Sequence, residues 1–495
     1  MLDDLTLDKA SPEPLYLQLK RRLAYQIDNG LLAPGERIPA TRDLAEQLGV
    51  ARISVINAYE ELREEGYIVS QVGRGTFVAE RDILTAGQSV STALPGARHA
   101  QSASLRELQH LAARPGVINF SQGAPAEGFL PVDLIREAIN TVLARDGAEA
   151  VSYEVPEGYP PLRRSVAVMA ARQGIVASGD EVLITGGCQQ ALDLAVQSLL
   201  NPGDVMLTSN PTYLGMLDIA RARGVIAIGV PVDDEGMQTD VLETLIVEHR
   251  PRLIYISPTY HNPTGAVMPL NRRRHLLYMA AAHRVPVLED GVYEGLSYIG
   301  TPPPPLKALD EGDLVLYASS FSKVLMPGMR IGYLLAGGLL RERLARVKQA
   351  ADICTPGLNQ RAIHALLESG QFGEHIIRVR AACRARRDAM LDAAAQHLPE
   401  GARWTEPAGG LYLWVELPPG PTAVELYLHA LRRGVTFAIG SLFYTDGRGV
   451  YHLRLNMVAH PPEVIEQGMQ RLGAAWHELA AEYQPPIGKV GRPLL

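Results

Sequence analysis

Five short apolar runs, each ending in polar or glycine-rich residues, constrain the fold of this chain more than any other feature. They are EVLITGG, VMLTSNPTY, LIYISPTYHNPTG, VPVLEDGVY and LVLYASSFSK, and longer stretches with helical periodicity separate them. Alternating strands and helices of this kind predict a mostly parallel sheet with helices on both faces. Because ligands bind at the carboxyl ends of parallel strands, we expect the polar ends of the runs to surround one crevice.

Three regions of the chain differ in their sequence pattern. Residues 11–80 are dense in helical patterning and short turns, residues 81–115 are rich in small residues and proline, and residues 116–480 carry the strand and helix alternation. The middle region has no apolar period and is typical of a linker. We therefore predict two domains, the second with a smaller subdomain formed by GLYLWVEL and YHLRLNM, and a loosely ordered tail over residues 481–495.

The first domain has the pattern of three helices followed by a β-hairpin. Apolar residues lie at helical spacing between residues 15 and 27. Thr41 is the predicted N-cap of the second helix, and a turn at Gly49 leads to a third helix that begins near Arg52. Two short strands between residues 67 and 79 then enclose a glycine-rich tip. A helix-turn-helix followed by such a wing is a shape that docks on DNA.

This region resembles the winged helix-turn-helix of the GntR superfamily, through the segments GERIPATRDLAEQLGVAR, AYEELREEGY and GRGTFV. The resemblance implies that the third helix enters the major groove, while the second helix and the wing hold the backbone or the minor groove. The residues assigned to DNA are Arg42, Arg52, Ser54, Asn57, Gly73 and Arg74. Ala51 and Ile53 depart from the small hydroxyl or amide residues expected at those positions. A dimerisation or substrate-clamping module of the same shape is the alternative.

Charge and cysteine content limit the partners and the compartment. The net charge of −7 excludes DNA binding by bulk positive charge, so any DNA contact depends on a local arrangement of cations. The cysteines at positions 188, 354 and 383 are odd in number and far apart, which favours a reducing compartment over a disulfide framework. The sequence has no signal-peptide pattern and no apolar run that would span a bilayer. These features predict a cytoplasmic protein.

In the second domain, the segment SSFSKVLMPGMRIGY places Lys323 in the turn after the last of the five runs. A lysine that forms a Schiff base must lie at a strand end and near a phosphate site. Ser320 and Ser322 offer hydroxyl groups to a phosphate, and Arg330 is placed to close over it with a charge-assisted fork. A single lysine after a serine is weak evidence, because most lysines are solvated surface charges.

Other run ends supply groups for a pyridine ring bound beside Lys323. Asp290 would pair with the ring nitrogen and keep it protonated. Tyr293 and Asn262 are placed to hydrogen-bond a phenolic oxygen of the ring, and Tyr213 is placed to stack on it. A helix start would offer its free backbone N–H groups to the phosphate through Gly187, Cys188 and Gln189.

Together these residues resemble the class I, fold-type I aminotransferases, which use pyridoxal 5'-phosphate (PLP), over about residues 117–475. The resemblance implies that Lys323, Asp290 and Tyr293 are catalytic, that Arg454 binds a substrate carboxylate, and that Tyr153 reaches the phosphate of a neighbouring subunit in a homodimer. Taken singly, Asp290 is equally a helix cap, Tyr293 a core aromatic and Arg454 a surface strand residue. The histidines and acids lack the spacing of a metal site.

The whole chain resembles the MocR (GabR-type) family of regulators. The implied fold is an N-terminal α+β winged helix-turn-helix followed by an α/β aminotransferase-like domain with large and small subdomains. The implied function is regulation of transcription through operator DNA and an amino acid or amine effector that is sensed by aldimine exchange at Lys323. Two alternatives stay open: an active class I aminotransferase with an autoregulatory DNA-binding module, and a regulator whose signal is PLP itself. Because no residue needed for transamination is missing, the sequence leaves enzymatic activity undecided.

Overall fold

The computed structural model of the protein describes residues 7, 14–28, 32, 35–64, 66–71, 75–79, 116–123 and 126–483. The chain divides into two compact units between residues 105 and 106. The predicted linker, residues 81–115, and residues 484–495 of the predicted tail lie outside the described residues. No helix in the described part of the chain combines the length and the apolarity needed to cross a bilayer.

The first unit is a winged helix-turn-helix, as the sequence predicts. Its elements are α1 (Leu15–Asp28), β1 (Arg37–Ile38), α2 (Thr41–Leu48), α3 (Arg52–Glu64), β2 (Ile68–Gln71) and β3 (Gly75–Val78). The strands form an antiparallel sheet in the order β1-β3-β2. The helices and the sheet share one core, which includes Leu19, Val55, Leu62 and Val78. This core holds the three helices and the sheet of the wing together.

The prediction that Thr41 is the N-cap of α2 is wrong. Ala40 occupies the cap with an extended backbone and no side-chain hydrogen bond. Its carbonyl accepts the bond from the Leu44 N–H at 3.0 Å, which is the first bond of the helix. Thr41 is therefore already a helical residue. The predicted turn at Gly49 is present, and its φ of 61° lies in the left-handed region that glycine adopts at helix ends.

The second unit contains a large and a small subdomain. The helices are α4 (Val132–Asp146), α5 (Pro160–Ala171), α6 (Cys188–Leu199), α7 (Leu214–Arg223), α8 (Leu242–His249), α9 (Leu270–His283), α10 (Leu306–Leu309), α11 (Gly338–Asp352), α12 (Gly357–Glu368), α13 (Gln371–His397), α14 (Ala423–Arg432) and α15 (Pro462–Glu482). The strands are β4 (Ile118–Asn119), β5 (Val182–Thr185), β6 (Val205–Asn210), β7 (Ile226–Asp233), β8 (Gly236–Met237), β9 (Leu253–Ile256), β10 (Val287–Asp290), β11 (Val315–Ser320), β12 (Gly332–Leu335), β13 (Arg403–Trp404), β14 (Tyr412–Glu416), β15 (Val435–Thr436), β16 (Ala438–Ile439) and β17 (His452–Asn456).

The five apolar runs form β5, β6, β9, β10 and β11 of the central sheet, whose order is β5-β12-β11-β10-β9-β6-β7-β8. The pairs among β7, β6, β9, β10 and β11 are parallel, which confirms the predicted mostly parallel sheet. Strand β12 is antiparallel to both β11 and β5, so β5 runs in the same direction as β11. The carboxyl ends of the five predicted strands therefore lie at one edge of the sheet.

The small subdomain is built on an antiparallel sheet in the order β13-β14-β17-β16. Strands β14 and β17 contain the two runs that the sequence assigns to this subdomain, and they place Trp414 opposite Arg454 and Tyr412 opposite Asn456. Strand β4, from the start of the unit, pairs with β15. The small sheet and its helices share one core with Tyr293, which follows β10 of the large sheet. This shared core joins the two subdomains beside the carboxyl edge of the central sheet.

Candidate functional site

Asp290 ends β10 and is buried, with 4% of its surface exposed. Its Oδ2 accepts a hydrogen bond from the Tyr255 hydroxyl at 3.0 Å, and its Oδ1 accepts from the Val292 N–H at 3.2 Å. Burial raises the pKa of Asp290, although these two bonds oppose the rise. No helix of the described residues begins directly after Asp290, so the helix-cap alternative is wrong. A cation beside this carboxylate would offset the cost of its buried charge, and a protonated pyridine nitrogen is such a cation.

Lys323 lies in the turn after β11 and is half-buried. Its Nζ donates a hydrogen bond to the Gly123 carbonyl. Asp290 and Tyr412 are close enough for their titration to be affected by the lysine charge. The ammonium group therefore lies between the carboxyl edge of the large sheet and the small subdomain, as the predicted Schiff-base lysine requires.

The protein groups that are predicted to bind the cofactor phosphate also lie near one another. Gly187 is the N-cap of α6. Its φ of 110° is a backbone conformation that residues with a side chain rarely adopt. A Cβ on Gly187 would lie 2.5 Å from Nη2 of Arg330, and the positive φ already favours glycine at this position. The same Nη2 donates to the Gly186 carbonyl at 2.8 Å. Ser320 and Ser322 are buried at the end of β11. A helix N-terminus, two hydroxyl groups and a guanidinium together form a site that fits a phosphate.

Cys188 and Gln189 are the first two residues of α6 and follow Gly187 directly. The Cys188 thiol donates to Asp290 Oδ1 at 3.5 Å, and burial together with the Asp290 charge raises its pKa, which disfavours a nucleophilic role. Gln189 Oε1 accepts from the Tyr213 hydroxyl at 2.9 Å. This bond fixes the Tyr213 ring at the start of α7, and the predicted stacking of that ring on a cofactor stays a prediction.

Arg454, on β17, joins the two subdomains. It is buried, with 7% exposed, so the surface-residue alternative is wrong. Its Nη1 donates to Asn262 Oδ1 at 2.8 Å, and its Nη2 donates to the Ser121 carbonyl at 2.9 Å. Its Nε has no hydrogen-bond partner within the described residues. Asn262 in turn donates to the Tyr293 hydroxyl at 3.3 Å. A buried guanidinium with an unsatisfied N–H fits a ligand that carries a carboxylate.

Tyr153 is the predicted site residue that the single chain does not bring to the others. It follows a short 3-10 helix and is 84% exposed. The proposed contact with a neighbouring subunit therefore stays a prediction.

Two tyrosines of this site are absent from the sequence prediction. Tyr255, on β9, holds Asp290, and Tyr412, on β14, contacts Arg454 and Tyr293. Both lie inside apolar strand runs, where a buried hydroxyl needs a partner. That rule would have marked them as candidates without saying which groups they contact.

The predicted DNA contacts lie in the first unit. Arg42 on α2 and Arg52 at the start of α3 are exposed, while Ser54 and Asn57 on α3 are half-buried. Ile53, which the sequence analysis marks as a departure, is 60% exposed on α3. Gly73 and Arg74 lie outside the described residues. The helix thus presents a mixed cationic, polar and apolar surface, and the assignment of its residues to DNA stays a prediction.

Strand β1, which pairs with β3 of the wing, carries one more cation, Arg37. Arg37 pairs with Phe77 across the sheet and is exposed. A Cβ on Gly75 would lie 2.9 Å from its Nε, so the guanidinium crosses the start of β3 beside the wing tip. Arg37 is absent from the predicted DNA contacts, although it lies in the GERIP segment of the family pattern.

Two family models match this chain. The model described as aminotransferase class I and II matches residues 115–472, and the model described as bacterial regulatory proteins, gntR family, matches residues 15–78. The matched segments contain the two sites described above. The order of the two matches is the order that the sequence analysis predicts.

Relatives combine the same two parts or contain the second alone. The uncharacterized HTH-type transcriptional regulator YdfD of Bacillus subtilis (strain 168) is 32% identical, over 94% of this chain and 97% of its own length. The probable rhizopine catabolism regulatory protein MocR of Rhizobium meliloti is 27% identical, over 98% of both chains. The solved structure of LysN, the alpha-aminoadipate aminotransferase of Thermus thermophilus, complexed with N-(5'-phosphopyridoxyl)-L-leucine, has a TM-score of 0.74. LysN is 36% identical, and the match covers 80% of this chain and 99% of LysN.

Proposed function

Because this chain belongs to the MocR-type family, in which a gntR-family domain precedes a class I and II aminotransferase domain, we propose that it is a PLP-dependent regulator of transcription. The first unit binds operator DNA, and the second unit binds an amino acid or amine effector. The observation that carries this proposal is the fusion itself. Relatives named as regulators align over nearly the whole chain, whereas the LysN match covers 80% of it. A DNA-binding unit has no task in an enzyme that only turns over amino acids.

PLP is the cofactor of this family, and the residues of the second unit fit it. When bound, PLP withdraws electrons from the carbon that carries the amino group of a ligand. We assign its attachment to Lys323 and its ring nitrogen to Asp290. We assign the hydrogen bonds to its phenolic oxygen to Asn262 and Tyr293, and packing against its ring to Tyr213. We assign binding of its phosphate to residues 187–189, Ser320, Ser322 and Arg330.

The chain's own groups bind and orient the effector. Arg454 binds its carboxylate through the guanidinium edge that carries the unpartnered Nε. Asn262 holds that guanidinium from the side of the large sheet, at 2.8 Å. Lys323 would accept and return a proton at the ligand's reacting carbon through its Nζ. Differential binding to open and closed arrangements of the second unit would then reposition the DNA-binding units.

The functional organisation follows the same proposal. We assign DNA binding to residues 11–80, connection to residues 81–115 and PLP binding to residues 116–480, with residues 481–495 as a tail. A homodimer supplies two DNA-binding units for two half-sites. It also gives the exposed Tyr153 a partner, the phosphate site of the other subunit. The protein acts in the cytoplasm, where operator DNA and a reducing environment for its cysteines are present.

An active aminotransferase with an autoregulatory DNA-binding unit is the second candidate. The observation that favours it is that Lys323, Asp290, Tyr293 and Arg454 all converge on one site, in a unit that is 36% identical to an aminotransferase. A regulator that responds to PLP itself uses the same cofactor site and differs in needing no effector.

The deciding experiment follows the cofactor absorbance of the PLP-loaded protein. Pooled amino acids and amines are added first, and keto acids second, while DNA binding is measured in parallel on a duplex selected from random sequence. A regulator is expected to change its absorbance once, to release no new amino acid, and to change its DNA affinity. Repeated turnover with release of new amino acid would place the enzyme first. A DNA response to PLP alone would make the cofactor the signal.

Arg52→Ala is expected to weaken binding to the selected duplex by about 1–3 kcal/mol, or roughly 5- to 150-fold, if Arg52 contacts a base edge. The exposed position at the start of α3 is where a recognition helix meets the major groove. Fluorescence anisotropy at moderate salt measures the change. Arg172→Ala removes another exposed charge, in the second unit, and is the control. An Arg52→Ala protein that binds as tightly as the control removes Arg52 from the interface.

A further inference from the structure

Tyr412 is a buried residue of the candidate site that the assignments above leave without a role. It begins β14 and is 2% exposed. Its ring lies under the Arg454 guanidinium, whose Cζ is 3.9 Å from the ring centroid. Its hydroxyl accepts a hydrogen bond from the Tyr293 hydroxyl at 3.4 Å. One side chain therefore contacts both the proposed carboxylate-binding residue and the residue proposed to hold the phenolic oxygen.

The hydroxyl of Tyr412 also lies close enough to Lys323 to be affected by its charge. A Cβ placed on Gly123 would lie 3.0 Å from the Tyr412 hydroxyl and 3.9 Å from Lys323 Nζ. Both groups thus border the same short backbone segment. Gly123 keeps the space between them open, because any larger residue would contact the hydroxyl at once. Tyr412 lies at the point where the small subdomain meets the reactive lysine.

We propose that Tyr412 is a positioning residue that links the Arg454 guanidinium to the Tyr293 hydroxyl, so that a carboxylate bound to Arg454 weakens the Tyr293–Tyr412 bond and lets the Tyr293 hydroxyl donate more strongly to the phenolic oxygen of the cofactor. This inference rests on the proposed function, because it takes Arg454 to be the carboxylate-binding residue. It goes beyond the proposed function because it names the contacts through which a ligand bound at Arg454 affects Tyr293 beside the cofactor.

The charges around Tyr412 support this link. Burial alone would raise the pKa of Tyr412, but the positive charges of Arg454 and Lys323, together with the hydrogen bond from Tyr293, lower it. The pKa of Tyr293 is raised by burial and by Tyr412 itself. Tyr293 is therefore the proton donor of the pair and Tyr412 the acceptor. The titratable and charged groups that act on Tyr412 are Arg454, Lys323, Tyr293, Asp290 and Tyr213.

A ligand carboxylate bound to Arg454 would counteract part of the effect of these positive charges on the pKa of Tyr412. The anion cancels the charge that favours the ionised form of Tyr412, so the pKa of Tyr412 rises toward its ordinary value, about 10. The Tyr412 hydroxyl then keeps its own proton and accepts less strongly from Tyr293. Tyr293 is left with more of its hydrogen-bonding capacity for the phenolic oxygen of the cofactor.

Tyr412→Phe tests the link, because it removes the hydroxyl and keeps the ring under Arg454. Hexanoate is the probe, since it has a carboxylate and no amine. In the PLP-loaded wild type, the negative charge of saturating hexanoate is expected to raise the pH midpoint of the cofactor absorbance. The link works against this rise, because a stronger Tyr293 bond to the phenolic oxygen favours the unprotonated Schiff base. In Tyr412→Phe, where Tyr293 has lost this acceptor with or without hexanoate, the rise is therefore expected to be larger than in the wild type. Hexanoate affinity should stay within about threefold, since the cation–ring contact remains.

Tyr427→Phe is the matched control, because Tyr427 belongs to the same core and lies on α14. It should keep the wild-type shift. A Tyr412→Phe protein that binds hexanoate and shows a rise no larger than that of the wild type would overturn the proposal.

A second measurement separates this inference from the proposed function. In cofactor-free protein, the phenolate absorbance of wild type minus Tyr412→Phe should reveal a tyrosine that ionises below the ordinary value of about 10. Hexanoate should move that transition upward. If neither occurs, the link is wrong even where PLP binds normally. If both occur but PLP never attaches, the link stands and the proposed cofactor site fails.

Discussion

Lys323→Ala is expected to abolish covalent attachment of PLP while leaving both units folded. The lysine is the proposed Schiff-base residue, and no other amine takes its place at the carboxyl edge of the sheet in the described residues. Its hydrogen bond goes to the Gly123 carbonyl, and it forms no ion pair with a described carboxylate. Its removal therefore costs little stability. Phosphate and ring contacts remain, so PLP should still bind weakly and reversibly.

Borohydride reduction followed by peptide mapping measures the attachment. The chain has only six lysines, Lys9, Lys20, Lys307, Lys323, Lys348 and Lys489, so the labelled peptide is unambiguous. Lys307→Ala is the control, because Lys307 pairs with Asp310 and Asp313 away from the site. Wild type and control should be labelled at Lys323, and Lys323→Ala should be unlabelled. Retained labelling at another lysine after reduction would refute the assignment.

The sequence predicts the central sheet well because its strands are buried on both faces. A strand such as β11 or β9 is buried along its whole length, and burial of this kind leaves a continuous apolar run. The direction of β12 has no such signal. It is antiparallel because the chain returns after a short turn at residues 327–329, and the bond from the Phe321 N–H to the Ile331 carbonyl closes that return.

The site is predicted from the sequence as a set of residue types at strand ends. Asp290, Lys323 and Gly187 were found because parallel strands bring their carboxyl ends to one edge. That rule does not predict the contacts between the two subdomains. Arg454 meets Asn262 across 192 residues of chain, and nothing local to either residue specifies the other. Tyr412 was missed for the same reason, since its partners come from two different subdomains.

Small corrections in the first unit have local causes. The cap of α2 falls on Ala40 because the backbone, rather than the residue type, decides where the first helical bond is accepted. The preference for threonine at a cap is worth only about 1 kcal/mol, which the rest of the unit readily overrides. Which α3 residues meet DNA depends on a partner that a single chain does not contain.

Arg454→Gln is expected to separate ligands with a carboxylate from ligands without one. L-norleucine and n-pentylamine share the same carbon chain and amine, and norleucine alone has the carboxylate. Losing a buried charge pair costs about 2–5 kcal/mol, so norleucine affinity should fall about 30-fold or more. Pentylamine should change far less. Glutamine retains an N–H that can still donate to Asn262 or the Ser121 carbonyl, which limits damage to the site.

Titration of the cofactor absorbance with each ligand measures both affinities. Arg448→Gln is the matched control, since Arg448 lies in the same subdomain and pairs with the surface residue Asp446. It should bind both ligands as wild type does. A loss of affinity for norleucine alone means that the effector site prefers amino acids and that Arg454 binds the carboxylate. An equal loss for both ligands means that Arg454 supports the architecture of the site, because a group that reads the carboxylate has nothing to lose with pentylamine.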